Sequence, residues 1–369
     1  MGASICPLPR ASQPAARGEL SDCFWCIVGA MVSRGRNAAR LACATAVMIV
    51  GASSPCASAQ AAPDNFDWGT GAATAWAAGY TGTGVRIAII DDGVETRHNW
   101  FRGLPAYGLC TSATEENPNY LGLCPEPLDP ADPRAATLVV MNMGGKRVVG
   151  RPGFQTGPTA GRPPTWLPAG VLEALQLWHG TFVGGLATGA SSRTFGFPNS
   201  YRGIAPDASL TAANVTIVAP ANGRLLAAIT PANLADALEM ISEQEAGVPR
   251  ADVVNISLAN PRVAYSGATC DNEARAHPNA TIRTIAEIVD ELDDDGTVVV
   301  AAAGNDFADH VRYPACLSKV VSVGGLGADM KPYPEYLPAK GRIDVAARAV
   351  NVRAPNVGGS TRVDSGTSF

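Results

Sequence analysis

Several short runs in this 369-residue chain are dominated by apolar residues and present no charged face: Val85–Ile90, Ser209–Val215, Val253–Leu258, Thr297–Ala303 and Val320–Val323. A strand with one wet face alternates apolar and polar residues, so a continuous apolar run predicts a strand covered on both faces. Helical patterns lie between these runs. His179–Gly189 is rich in small and apolar residues. Pro231–Gln244 places Leu234, Ala237, Leu238 and Ile241 on one face, with Thr230 as its cap. Ile282–Leu292 repeats the pattern at Ile282, Ile285, Ile288 and Val289. Buried strands separated by helices predict an α/β fold with a mostly parallel central sheet and helices on both faces. Two stretches break the rhythm, residues 101–168 and 259–279. Both are rich in turn-forming residues and read as surface insertions.

The first residues read as a targeting segment. Arg34, Arg36 and Arg40 precede an apolar run from Leu41 to Val50, and Ala57-Ser58-Ala59 follows before Gln60. A basic region, a short apolar region and an A-x-A site make up a secretory signal, expected over residues 31–59. Residues 1–30 then form an N-terminal extension of doubtful origin, and the mature chain is expected from residue 60. The Cys23–Cys26 C-x-x-C lacks a βαβ context and reads as noise. The mild net charge of −5, with no Lys/Arg run, excludes nucleic acid as the main partner. Of nine cysteines, Cys110, Cys124, Cys270 and Cys316 lie beyond the signal. An exported chain permits disulfides, and four cysteines allow three pairings. Cys110 with Cys124 is the most local, which leaves Cys270 with Cys316; four free buried thiols are the alternative.

Three segments carry groups that could do chemistry. Ile89-Ile90-Asp91-Asp92-Gly93-Val94 puts carboxylates at the end of a buried strand, where open α/β sheets place functional groups. His179-Gly180-Thr181 opens the small-residue helix. Ser365-Gly366-Thr367-Ser368 closes the chain. Serine is a weak nucleophile that needs an imidazole to take its proton, and the imidazole needs a carboxylate to fix its tautomer. A fourth segment, Ala301-Ala302-Ala303-Gly304-Asn305, ends a strand on an amide that can donate to an oxyanion. Rival motifs fail: no G-x-S-x-G elbow, no H-E-x-x-H and no dinucleotide fingerprint occurs. Asp293–Asp295 reads as a solvated helix end rather than a calcium loop.

Together these segments resemble the subtilisin-like serine peptidases, over about residues 65–369. Asp91 falls in I-D-x-G-V, His179 in H-G-T-x-V-x-G, Asn305 in A-A-G-N and Ser368 in S-G-T-S. Between them, Gly203-Ile204-Ala205-Pro206 resembles the family's G-V-A-P turn. Val254-Asn255-Ile256-Ser257-Leu258 resembles its N-x-S-L strand, and Tyr313-Pro314-Ala315 its Y-P-A segment. The resemblance implies a three-layer sheet architecture and a secreted or periplasmic serine endopeptidase acting on polypeptides. It implies Asp91, His179 and Ser368 as a triad and Asn305 as oxyanion donor. It further implies a substrate cleft lined by Ser257, Leu258, Ala259, Ala302, Ala303 and Gly304, with a large or apolar residue preceding the cleaved bond. It implies a monomer with no catalytic cofactor; structural calcium is a family property for which no site is identified.

Departures from the family pattern bear on these expectations. Phe182 replaces a second histidine, Ala259 replaces a glycine beside the substrate, and a long insertion separates Asp91 from His179. The family continues its nucleophile into a core helix, so the chain is expected to be truncated just after the catalytic serine. Each core side chain so lost costs about 1.5–3 kcal/mol against a total stability of about 5–15 kcal/mol. The second reading is therefore an inactive remnant or binding-only domain of the same fold. Membrane association is expected only through the signal or through a further C-terminal segment.

Overall fold

The computed structural model describes residues 70–369, apart from residues 102, 113–120, 125–139, 144–145, 150–152, 158, 165–171, 173–174, 190–202, 222–223, 260–262 and 306. The expected signal segment and N-terminal extension lie outside the described residues. In chain order the elements begin with α1 (Ala72–Ala77), β1 (Arg86–Asp91), β2 (Ala106–Ser112), β3 (Leu121–Gly122), β4 (Val140–Met143), β5 (Lys146–Val149) and β6 (Gly153–Thr156). Next come α2 (His179–Thr188), β7 (Ser209–Asn214), β8 (Thr216–Ala221), β9 (Arg224–Ile229), α3 (Pro231–Ser242) and β10 (Val253–Ile256). The last are α4 (Asp271–Arg275), α5 (Ala280–Asp294), β11 (Val298–Ala302), β12 (Val320–Leu326), β13 (Val345–Arg348), β14 (Val352–Pro355) and β15 (Thr361–Asp364).

An 8-stranded sheet runs in the order β13-β12-β11-β10-β1-β7-β2-β6. Every neighbouring pair is parallel except β2 with β6. Helices cover both faces, and β1 shows why its run is apolar throughout. Ala88 and Ile90 join a core with Leu238 of α3, Ile285 of α5, Val254 and Val299. Ile89 points the other way and joins Val183 of α2 and Leu210. Successive side chains on a strand face opposite sides, so both sets must be apolar. The helix starts follow local rules. Thr230 accepts a hydrogen bond from the Asn233 N–H, with Pro231 in the first turn of α3. Asn279 caps α5 through the Thr281 N–H.

Part of the stretch read as a surface insertion is core. β2 pairs with β7, and Leu109, Cys110 and Thr111 are fully buried. Disulfides join Cys110 to Cys124 and Cys270 to Cys316, with Cα separations of 5.7 and 5.4 Å. The sequence hides β2 because its small residues serve close approach: a Cβ on Gly108 would lie 2.3 Å from the Gly161 backbone nitrogen. A Cβ on Gly161 would lie 1.9 Å from the Ala212 carbonyl oxygen of β7. Overpacking costs about 1–3 kcal/mol, and backbone cannot retreat as a side chain can. Gly161→Ala is therefore expected to lower stability by about 3 kcal/mol, against about 1 kcal/mol for removing the Thr230 cap. Denaturant unfolding of the two variants checks this; equal stability of Gly161→Ala and the parent would contradict the packing.

Candidate active site

β1 lies between β10 and β7, where the sheet's connections diverge to the two sides. Loops leaving the carboxyl ends of strands open a crevice at such a point. Asp91 ends β1, Ser257 follows β10, and Asn305 follows β11. An open cleft of about 820 Å³ lies there, lined by Asp91, His179, Ser257, Asn305 and Ser368 among others.

Helix α2 enters this crevice with His179 as its first residue. Its ring Nδ1 stands 2.9 Å from both Asp91 oxygens. Asp91 is 1% exposed, so the contact is dry on the carboxylate side. In the neutral ring, an Nδ1–H donated there leaves Nε2 with a free lone pair, the tautomer a proton acceptor needs. Burial pulls the His179 pKa down; the Asp91 charge and hydrogen bond, then Asp92 and Asp364, outweigh it and push the value up to about 9. Asp92 sits beside the pair, also buried. Its carboxylate accepts the His179 and Gly180 N–H groups at 3.0 and 2.7 Å. Burial first, and the neighbouring Asp91 charge second, raise its pKa well above the usual carboxylate value, while the His179 charge and the Gly180 and His179 N–H groups favour the ionised form. His98 is no rival base: its Nδ1 accepts from the Trp100 N–H, and its Nε2 lies 3.0 Å from the Ser360 carbonyl. Burial also lowers its pKa.

Ser368 lines the same cleft but does not bond to His179. Its hydroxyl donates to the Ser257 carbonyl at 3.1 Å, while the Ser257 hydroxyl donates to the Ser368 carbonyl at 3.1 Å. Asn255 Nδ2 donates in turn to the Ser257 hydroxyl. This reciprocal pair holds the serine segment against the end of β10. Asn305 is fixed by its neighbour Thr367, whose N–H and hydroxyl both donate to Asn305 Oδ1 at 2.9 Å. Among the described residues no hydrogen bond from its Nδ2 is found, and Asn305 lines the cleft.

The expected cleft residues divide. Ser257, Leu258, Ala259, Ala302 and Gly304 line the cleft. Ala303 does not: it is fully buried in the core with Val311 and Tyr313. Phe182, at the position of the expected second histidine, is fully buried against Trp178 and Phe369, with ring centroids 5.8 and 4.4 Å away. The roles of Thr367 and of the reciprocal Ser257 contact have no local sequence signal beyond the position of Thr367 within Ser365-Gly366-Thr367-Ser368. Arg362 and Asp364 also reach the cleft, paired at 2.8 Å, with the Arg362 guanidinium 3.9 Å from the centre of the Trp178 ring. Among the described residues no three His, Cys, Asp or Glu side chains cluster to hold a metal ion.

A model described as the subtilase family (peptidase S8) matches residues 82–369. No curated protein matches the chain. Among solved structures it is similar to the prenylagaramide maturation protease PagA, at 17% identity, covering 81% of this chain and 75% of that one, with a TM-score of 0.47. It is also similar to an S41 psychrophilic protease, at 19% identity, covering 78% and 73%, with a TM-score of 0.49.

The raised His179 pKa has a sign. Its contribution to folding is complete below the unfolded value of 6.5 and is lost as pH rises through about 9. A titration of the His179 ring by NMR is expected to give a midpoint above 6.5, toward 9. A midpoint below 6.5 would contradict the electrostatics described.

Proposed function

This chain belongs to the subtilase family of serine peptidases, and on that premise we propose that it is an exported endopeptidase using Asp91, His179 and Ser368. The observation that carries the reading is the Asp91–His179 contact, because it sets the imidazole tautomer that accepts a proton at Nε2. Ser368 leaves the Ser257 carbonyl, turns to His179 Nε2 and attacks a peptide carbonyl. The Oγ–C bond forms as the proton passes to His179. The C–N bond then breaks, and the same proton goes to the leaving amine. Water, deprotonated by His179, hydrolyses the acyl group and restores Ser368. Asn305 Nδ2 and the Ser368 N–H receive the oxyanion. Leu258, Ala259 and Ala302 form an apolar wall, which suits a large apolar side chain before the cleaved bond.

Export is supported by the signal pattern in residues 31–59 and by the two disulfides, which persist in oxidising compartments. Among the described residues no helix is long and apolar enough to cross a membrane. A binding-only domain is the second reading, favoured by the Ser368 hydroxyl resting on Ser257 rather than on His179. A fluorophosphonate probe separates the two. The chain is expected to be labelled at Ser368 and to hydrolyse casein, and Ser368→Ala to do neither. Equal cleavage by the alanine variant, or no labelling of the parent, would overturn the proposal. Asn305→Leu is expected to lower kcat about 100- to 1,000-fold with little change in KM, read by steady-state kinetics on a peptide substrate.

A further inference from the structure

β1 ends in two adjacent aspartates, and the proposed triad uses one. Asp92 is the buried carboxylate left over, 5% exposed. Its main chain and side chain hold opposite partners of one pair. The Asp92 N–H donates to Asp91 Oδ1 at 2.8 Å. Its Oδ2 accepts the His179 N–H at 3.0 Å, and its Oδ1 accepts the Gly180 N–H at 2.7 Å. Residue 92 thus grips the carboxylate from one side and the backbone of the histidine from the other. Gly180 permits the approach: a Cβ there would stand 2.5 Å from the Gly93 carbonyl oxygen and 2.9 Å from Asp92 Oδ1.

We propose that Asp92 is a positioning residue for the Asp91–His179 pair, fixing their separation and giving the imidazolium a second negative charge. The proposal rests on the triad reading above. The first N–H groups of a helix have no partner within the helix. A serine or threonine hydroxyl satisfies one of them, whereas the Asp92 carboxylate satisfies two. The positive end of the helix dipole also favours an anion at this position. The charged groups around it come from three elements. Asp91 on β1 repels Asp92, and His179 on α2 attracts it. Asp364 on β15 also acts on His179, while paired with Arg362. When the serine proton reaches His179, positive charge appears on a ring whose backbone is held by Asp92. A neutral residue at 92 leaves that charge to Asp91 and Asp364.

The test uses the full chain, Asp92→Asn and Asp92→Ser, with two readouts. The first is the NMR midpoint of the His179 ring, which needs no chemistry; it is expected to fall by about one pH unit in either variant. The second is the high-pH rate of fluorophosphonate labelling at Ser368, expected to fall tenfold or more in Asp92→Asn. A structural role alone would slow labelling without moving the midpoint. An unmoved midpoint overturns the proposal, whatever the labelling rate does. Circular dichroism reports folding, and Asp92→Ser, which keeps one acceptor, replaces Asp92→Asn if the latter does not fold. On the parent alone, the His179 and Gly180 amides are expected to be protected from hydrogen exchange; free exchange overturns the proposal. A parent that is not labelled at any pH overturns the triad reading instead, and the midpoint comparison still decides the role of Asp92.

Discussion

The docking of one helix start onto one strand end is the contact on which the rest of the site depends. α2 begins at the carboxyl end of β1, and its first two N–H groups fall on the Asp92 carboxylate. A buried carboxylate is expensive unless its oxygens are hydrogen-bonded, and orphan helix N–H groups are expensive unless they find acceptors. Each deficit removes the other. The price of this fit is a glycine at 180, since any side chain would strike the strand end. With α2 held there, His179 has little choice but to meet Asp91.

The sheet does the remaining assembly. Parallel strands deliver all their carboxyl ends to one edge, so residues far apart in sequence converge there. Asp91, Ser257 and Asn305 leave β1, β10 and β11, which are adjacent in the sheet. The serine segment is then tied to two of these strand ends. Ser257 holds Ser368 by a reciprocal pair, and Asn305 holds Thr367 by two hydrogen bonds to one oxygen. The second tie has a chemical consequence. With Oδ1 occupied, the Asn305 amide is oriented, and its Nδ2 is the end that remains available. The same contact that fixes the loop therefore prepares a donor.

Much of the fold was legible because its signals are local. Apolar runs located β1, β7, β10, β11 and β12, and Thr230 marked the start of α3 within its own turn. Asp91 and His179 were legible because strand end and helix start are read from neighbouring residues. What escaped depends on partners distant in sequence. β2 reads as loop because Gly108 and its small neighbours make sense only beside Gly161 and β7. Ala303 is expected in the cleft with Ala302, but its core partners, Val311 and Tyr313, come from a later segment. The part of the second aspartate is not legible in the sequence, because only the fold shows its acceptors facing α2.

In the proposed reaction the Ser257 contact is a resting position from which Ser368 turns to its reacting one. The crystal structure of the chain inhibited by a peptide boronic acid tests this directly. Boron is expected bonded to Ser368 Oγ, with the bond to the Ser257 carbonyl broken and one boronate oxygen within hydrogen-bond distance of Asn305 Nδ2. A boronate bound elsewhere, or a Ser368 hydroxyl still donating to Ser257, would contradict it.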